Sequence, residues 1–535
     1  MSRCFFGWIG LALTGGVLAG CTPVDEWRVL DEDWSDRLEE QARRDLALPE
    51  PIGEDRANTS VALPEGDGPL ELSIEQAAML SLQRNRDLAV RQYGPVIAGA
   101  FESIERGVYD PEMFGEFTFE QEESAETNRG TGERFSVVGD DTTTAAGVRQ
   151  RLPTGTEVEV SVEQSRSSSS RSPELQQARL GLTVTQSLLE GFGPAVNLAA
   201  IRQAELGVVA SRYELRGFVE ALLAEVETAY WSYTLAEAQI AIFERSLQVA
   251  RQQADETRQR IEVGLLAETQ GAAVIAEVAL REQQLIDARS ELEAARFRLL
   301  RLINASPTLA DPGRSIVTIS SPRTAAEPID DVADRLRLAL KMRPDLNEAA
   351  ARLEQNRLET VVTRNGLLPR LDLFVTLGKS GFADTFPESF ENLDGEEFDL
   401  GVGVSLSEAV GSRADRGADA LARANRSQAA AAVNNLRQLV ALDVRLAVNE
   451  VERARQQIDA SAATRRLRAA TLDAERQRFD VGASTGLLVA LAQSELLTAE
   501  IAEVESVVNY RIALTNLYLA EGSLLERRGL SVGAP

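Results

Sequence analysis

Residues Arg260-Ile261-Glu262-Val263-Gly264 return as Arg478-Phe479-Asp480-Val481-Gly482, 218 positions further along the chain. Each copy closes a long stretch rich in Ala, Leu and Arg, and another helical pattern follows at once. Gly264 and Gly482 supply the permissive backbone that a tight reversal needs. Upstream of the first turn, Leu222, Val226, Ala229, Tyr233, Ala236, Ile240, Phe243, Leu247, Ala250, Ala254, Thr257 and Ile261 keep an unbroken 4-3 spacing. Only Thr257 among them is not apolar, and a seam sustained over five heptads specifies coiled-coil packing. A helix from Ala195 to Val263 spans on the order of 100 Å at ~1.5 Å per residue. The second copy keeps the seam at Val440, Val444, Ala447, Val451, Ala454 and Ile458, then loses it where Ser461, Arg465 and Arg468 fall on the same register. The two halves therefore cannot pack identically near Gly482.

The duplication reaches further out. Asn85-Arg86-Asp87-Leu88 matches Arg343-Pro344-Asp345-Leu346, and Pro111 matches Pro369 at the same offset of 258. Ser73, with Gln76 at the capping-box position, opens the helix that runs toward Gly107. Beyond the two prolines the period changes to two. Val158, Val160 and Val162 alternate with acidic and small residues, as do Leu180, Leu182 and Val184. Leu371, Leu373, Val375 and Leu377, and then Leu400, Val402, Val404 and Leu406, repeat the pattern in the second copy. Such alternation gives one apolar and one polar face, suiting either tilted transmembrane strands or the edge of a soluble sandwich. The two offsets differ by 40 residues, so the first copy carries extra chain among its strands. Glu122 to Asp141 and the Ser-rich stretch Ser165 to Ser172 read as long polar loops. Thr144–Leu152 and Gly155–Gln164 fit either an additional hairpin or one bent strand pair.

Residues 1–20 read as a processing signal, with Arg3 before an apolar run from Phe5 to Val17 that is too short for a comfortable membrane span. Leu18-Ala19-Gly20-Cys21 follows and resembles the lipobox of bacterial lipoproteins, in which the cysteine is acylated; an ordinary signal peptide is the alternative. The chain has two cysteines, Cys4 and Cys21, so removal of the signal and acylation leave no thiol for a disulfide. The net charge of −27 argues against a nucleic-acid partner, which requires clustered cations. Histidine is absent from all 535 residues, which removes His-based triads and most zinc sites, so no cofactor or metal is expected.

The order helix, strands, long helix, tight turn, helix, twice over, resembles the TolC-like outer-membrane factor family in its lipoprotein form. The strand entries Tyr109-Asp110-Pro111 and Leu367-Leu368-Pro369 carry the resemblance, with Gln186-Ser187-Leu188-Leu189-Glu190-Gly191-Phe192-Gly193 and the two Arg-x-x-x-Gly turns. It covers residues from about 70 to 522. The resemblance implies an α+β membrane protein: a long α-helical coiled-coil barrel continuous with a trimeric 12-stranded transmembrane β-barrel, four strands from each copy. The implied division is a signal peptide (1–20), a linker from Cys21 (21–70), repeat 1 (71–304), an inter-repeat linker (305–327), repeat 2 (328–521) and a tail (522–535). The implied function is the passive exit duct of an efflux or type I secretion system. It would be a homotrimer anchored in outer-membrane lipid and joined through a periplasmic adaptor to an inner-membrane pump.

In that family the helix-turn tips meet the adaptor. The matching positions here are Arg260, Val263, Gly264, Leu265 and Ala267, with Arg478, Val481, Gly482, Ala483 and Ser484 in the other repeat; tight turns alone are the plainer role. Some members place Asp six and nine residues after the second turn glycine, as carboxylate rings at a periplasmic constriction. Here those positions are Leu488 and Leu491, with Leu487 beside them. They are either a gate that closes by dewetting or ordinary coiled-coil leucines. Gly482-Ala483-Ser484-Thr485-Gly486 matches a nucleophile-elbow pattern, but a helix precedes it and no His exists to take the serine proton, so no enzyme is expected. A coiled-coil periplasmic adaptor or scaffolding lipoprotein remains the alternative. Two full repeats and membrane-length strands argue against it.

Overall fold

The computed structural model describes residues 69–127, 129–264, 266–304, 315–322, 329 and 331–530. The signal peptide, Cys21, Leu265, most of both linkers and residues 531–535 lie outside that set. Strand β1 (Leu70–Leu72) leads to α1 (Ile74–Arg84), α2 (Arg86–Arg91) and α3 (Tyr93–Gly107). Ser73 and Gln76 make the full capping box at α1. The single helix expected up to Gly107 is instead broken at Asn85, which has β-region torsions and caps α2 with its own side chain.

Four strands follow: β2 (Glu112–Thr127), β3 (Arg134–Arg151), β4 (Thr156–Ser169) and β5 (Leu175–Ser187). After the short α4 (Pro194–Asn197), α5 (Ala199–Glu262) runs 64 residues, about 95 Å, and α6 (Thr269–Ile303) returns. The second repeat places β6 (Ile316–Thr318), α7 (Val332–Met342), α8 (Pro344–Asn365), β7 (Arg370–Ala383), α9 (Phe386–Glu391) and β8 (Phe398–Ser407). It ends with α10 (Arg413–Asp480), α11 (Gly486–Glu521) and α12 (Leu524–Arg527). Among the described residues no helix is long and apolar enough to cross a membrane.

One antiparallel sheet carries six strands in the order β2-β3-β4-β5-β7-β8. The choice left open between a hairpin and a bent pair resolves as a hairpin. β3 and β4 pair from Arg151–Glu157 up to Gly139–Ser169 and reverse through residues 152–155. Gly155 has φ +82° and sits so close to the Gly191 carbonyl that no Cβ fits, which locks this turn to the end of β5. The four strands per copy implied by resemblance are corrected to six, and three six-stranded sheets do not make a 12-stranded barrel. The expected polar loops are also largely strand. β2 and β3 keep pairing through Thr127–Arg134, and β4 extends to Ser169. Polar side chains hold these extensions: Arg166 bridges Asp140 and Glu174 at 2.8 and 2.9 Å, and Ser136 donates to Glu123.

The sheet register sorts the side chains by alternation. Met113, Phe117 and Phe119, then Val148, Val158, Val160, Val162, Leu180, Leu182 and Val184, share one face with Leu371, Leu373, Val375, Leu377, Leu400, Val402, Val404 and Leu406. The opposite face presents Glu112, Glu116, Glu120, Glu157, Glu159 and Glu163 among Thr, Ser and Gly. Arg149 pairs there with Glu112 at 2.8 Å, and Arg179 reaches Asp399 at 2.7 Å across Gly378, where a Cβ would collide with that carboxylate.

The helices form a rod with α5 and α10 running its whole length. Near the sheet, α8 lies between them and α3 packs on the far side of α5; toward the turns, α11 packs on both long helices and α6 on α5. No residue of the first-copy seam is exposed, and Val440, Val444, Val451 and Ala454 are buried on α10.

At mid-rod the two linker regions meet. β1 pairs in parallel with β6, and the Tyr230 and Tyr233 hydroxyls donate to the Leu72 and Ile316 carbonyls. Residues 522–530, expected as the start of a tail, fold back as well: Leu524 and Leu525 are buried in the same core. Buried carboxylates hold this region, Glu227 across the repeats and Glu521 within the second repeat and the segment after it. Glu227 takes Arg528 at 2.6 Å and Thr515 at 2.6 Å, and Glu521 takes Arg335 at 2.5 Å and Arg527 at 3.1 Å. Glu220 is also buried, and loss of solvent pushes its carboxyl up to about 7 although Arg216 lies 3.2 Å away.

Candidate functional site

The rod ends in the two repeated turns. Val263 and Val481 stop their helices, and Gly264 and Gly482 follow at φ +77° and +75°, the left-handed conformation that reverses a helix end. In the second turn Gly482 N–H donates to the Phe479 carbonyl at 3.0 Å and Ala483 N–H to the Arg478 carbonyl at 2.8 Å, the paired bonds of a Schellman cap. In the first, Gly264 N–H reaches the Ile261 carbonyl at 2.9 Å and Leu266 N–H the Arg260 carbonyl at 3.3 Å. No Cβ clash bars substitution at either glycine; only the torsion does. Thr485, in extended conformation, stands at the N-cap of α11, whereas Glu268 rather than Thr269 precedes α6.

The two tips touch. Arg260 lies 3.6 Å from Asp480 and its guanidinium sits 5.3 Å from the centre of the Phe479 ring. The sequence placed Arg260 on a tip but gave no sign that it crosses to the other repeat, because contact between residues 220 apart leaves no local pattern. Val263 and Val481 are exposed, at 69% and 79%. Ala267 and Ala483 are exposed too, Arg478 pairs with Glu475 at 3.4 Å, and Ser484 donates to the same carboxylate. The nine described tip residues thus form one small end surface with two bare valines. Ser484 donates to the Glu475 carboxylate at a reversal between two helices, not at a strand-to-helix elbow.

Leu487, Leu488 and Leu491 are all exposed on α11. The neighbouring Val489 and Ala492 instead turn inward and pack with Leu472 of α10. The coiled-coil contact within the chain is made by those two, and the three leucines project from the other side. Beyond Ile458 the α10 seam becomes a polar ladder onto α11: Ser461 bonds Ser506 at 2.8 Å, Arg465 pairs with Glu503 at 2.5 Å and Arg468 with Glu495 at 2.5 Å. The sequence showed the loss of apolar residues but not their partners.

These features have counterparts among known proteins. The family model described as outer membrane efflux protein matches residues 149–305 and 336–523. Compared directly by sequence, no curated protein matches the chain. Among solved structures, the outer-membrane channel OprN superposes with a TM-score of 0.63 at 19% identity, covering 84% of this chain and 90% of that one. The Campylobacter jejuni CmeC outer membrane channel gives 0.62 at 17%, covering 84% and 86%. The open state of the Neisseria gonorrhoeae MtrE outer membrane channel gives 0.58 at 18%, covering 84% and 89%. At such identities the superpositions speak for the fold, and the family match, which spans more than half of the chain, for kinship. The chain belongs to the outer membrane efflux protein family.

Proposed function

We propose that three copies of this chain form a passive outer-membrane exit duct, anchored through an acylated Cys21, that docks by its turn tips on a periplasmic adaptor and through it on an inner-membrane pump. The observation that carries this reading is the polarity of the molecule. A sheet with one apolar face and unpaired edges stands at one end, and a rod about 95 Å long ends in two bare turns at the other. A single six-stranded sheet leaves β2 and β8 with open backbone, which a bilayer does not tolerate. The helical part asks for neighbours as well: Ile97, Phe101 and Ile104 on α3 and Leu421 on α10 are exposed at its two flanks. The acidic sheet face then lines the lumen, and Val263 and Val481 offer the apolar contact for the adaptor beside Arg260 and Arg478. The chain supplies no energy and no chemistry; the pump does.

Leu487, Leu488 and Leu491 are assigned to the periplasmic constriction, where a ring of leucines closes by excluding water. Planar-bilayer recording tests duct and gate together. The purified protein should conduct, and a Leu488→Ser, Leu491→Ser variant should conduct several-fold more. Absence of any channel activity would defeat the duct, whereas equal conductance of variant and parent would defeat only the gate.

A further inference from the structure

The sheet contains its own instructions for closure. Glu112, Arg149, Glu159, Thr183, Thr376 and Gly401 form one row of directly paired residues across all six strands. The apolar band does not follow that row. On β2 it runs from Met113 to Phe119, centred four residues above the row on the side away from the helices. On β4 and β5 it is centred on Val160 and Leu182, one residue above. On β7 and β8 it is centred on Phe374 and Gly403, two residues below. The band therefore descends six residues over six strands.

A band that must stay level in a membrane fixes the strand tilt. Six residues at ~3.3 Å against the five ~4.8 Å spacings that separate six strands give a tilt of about 40°, and the same descent taken over the six spacings from one β2 to the next gives about 35°, both in the range of closed membrane barrels. The same descent fixes how one copy meets the next, since the low band on β8 must continue the high band on β2. β8 runs toward the helices and β2 away from them, so their open edges are complementary as an antiparallel pair.

We infer that β8 of each copy pairs with β2 of a second copy of this chain in the register Ser407 opposite Glu112 through Phe398 opposite Gln121, closing three copies into an eighteen-stranded barrel. The inference rests on the trimeric duct proposed above and adds its strand count and seam. Ten consecutive residues are then paired, and both strands end flush at the rim nearest the helices. Leu406 meets Met113, Val402 meets Phe117 and Leu400 meets Phe119 on the apolar face. Gly401 meets Thr118 and Gly403 meets Glu116 on the polar face. Asp399 falls opposite Glu120, and Arg179 already neutralises it at 2.7 Å. A shift of one residue would turn every side chain to the wrong face. A shift of two toward Leu400–Phe117 loses two pairs and flattens the tilt to about 25°. A shift of two the other way sets Leu400 against Gln121 and Phe398 against Glu123. The β3–β4 hairpin is thus a wall element, and at equal tilt eighteen strands enclose a lumen about half as wide again as twelve.

The test uses the full-length lipoprotein, whose two native cysteines lie in the signal and at its end. A Phe119→Cys, Leu400→Cys variant, oxidised with copper phenanthroline in membranes, should run as a covalent trimer that reductant returns to monomer. The single variants, and Thr118→Cys with Leu400→Cys, should stay monomeric. Stronger cross-linking of Phe117→Cys with Leu400→Cys would overturn the register. If the variants fail to assemble, electron cryomicroscopy of the unmodified protein in nanodiscs decides: eighteen strands around the axis support the inference. A trimer with twelve strands or with unpaired β8 edges overturns it while leaving the duct intact, and a protein that is not trimeric overturns both.

Discussion

The tip-ward halves of α5 and α10 carry the same motif to the same end but are glued differently. Along α5 the seam stays apolar down to Ile261 apart from the buried Thr257, with Leu247, Ala250 and Ala254 buried. Along α10 it changes beyond Ile458 to Ser461, Arg465 and Arg468, bonded to Ser506, Glu503 and Glu495 of α11. Apolar burial holds in any salt, whereas part-exposed ion pairs contribute little and less still as salt rises. The two repeats thus keep the geometry of a helix hairpin while differing in the chemistry that holds its arms. The α10–α11 hairpin, which also bears Leu487, Leu488 and Leu491, carries this polar stretch before Leu472, Val489 and Ala492 restore apolar contact near the tip.

Substitutions can break that contrast. Leu247→Ala on the apolar seam should cost about 2–4 kcal/mol through lost burial and a cavity, read as a lower midpoint of thermal unfolding by circular dichroism in detergent. No loss there would remove the apolar half of the comparison. At mid-rod, where both repeats share buried charge, Glu220 has its carboxyl raised from 4.5 to about 7. The folded state holds that proton more tightly than the unfolded one, so this contribution is complete below about pH 4.5 and is lost as pH rises through 7. Glu220→Gln should flatten that decline, by on the order of 2–3 kcal/mol between the two limits, in unfolding curves taken across pH 4.5–8. An unchanged slope would mean that Glu220 is already charged at pH 5. Gly482→Ala forces a Cβ into a left-handed torsion with nothing else in its way, and should cost about 1–2 kcal/mol. Gly264→Ala should match it if the turns are equivalent, and a marked difference would show that they are not. Glu503→Ala on the polar ladder should cost about 1 kcal/mol or less, and about half a molar of salt should erase the difference from the parent. A salt-independent loss as large as that of Leu247→Ala would erase the comparison.

Much of this architecture was legible in the residues. The 4-3 seam, the capping box at Ser73, the left-handed glycines and the period-two runs are local signals, written within a few residues of where they act. Chain kinship followed from their order. The strand count implied by family resemblance failed because the hairpin formed by β3 and β4 is an insertion. The 40-residue difference between offsets and the runs Thr144–Leu152 and Gly155–Gln164 pointed to it without deciding between a hairpin and a bent pair, and polar sequences such as Glu122–Asp141 look like loop although most of them pair as strand. The break at Asn85 was missed because its cap acts inside a pattern that reads as one helix. The Arg260–Asp480 contact and the Arg465–Glu503 ladder were invisible for another reason: they join residues far apart in sequence, with no periodicity to expose them.

The most direct test of the duct is native mass spectrometry of the protein extracted from outer membranes in mild detergent, reading subunit number and the mass of the mature N-terminus together. The account predicts a trimer whose chains begin at Cys21 and carry acyl mass. A species that remains monomeric across several mild detergents, with or without lipid, would contradict it.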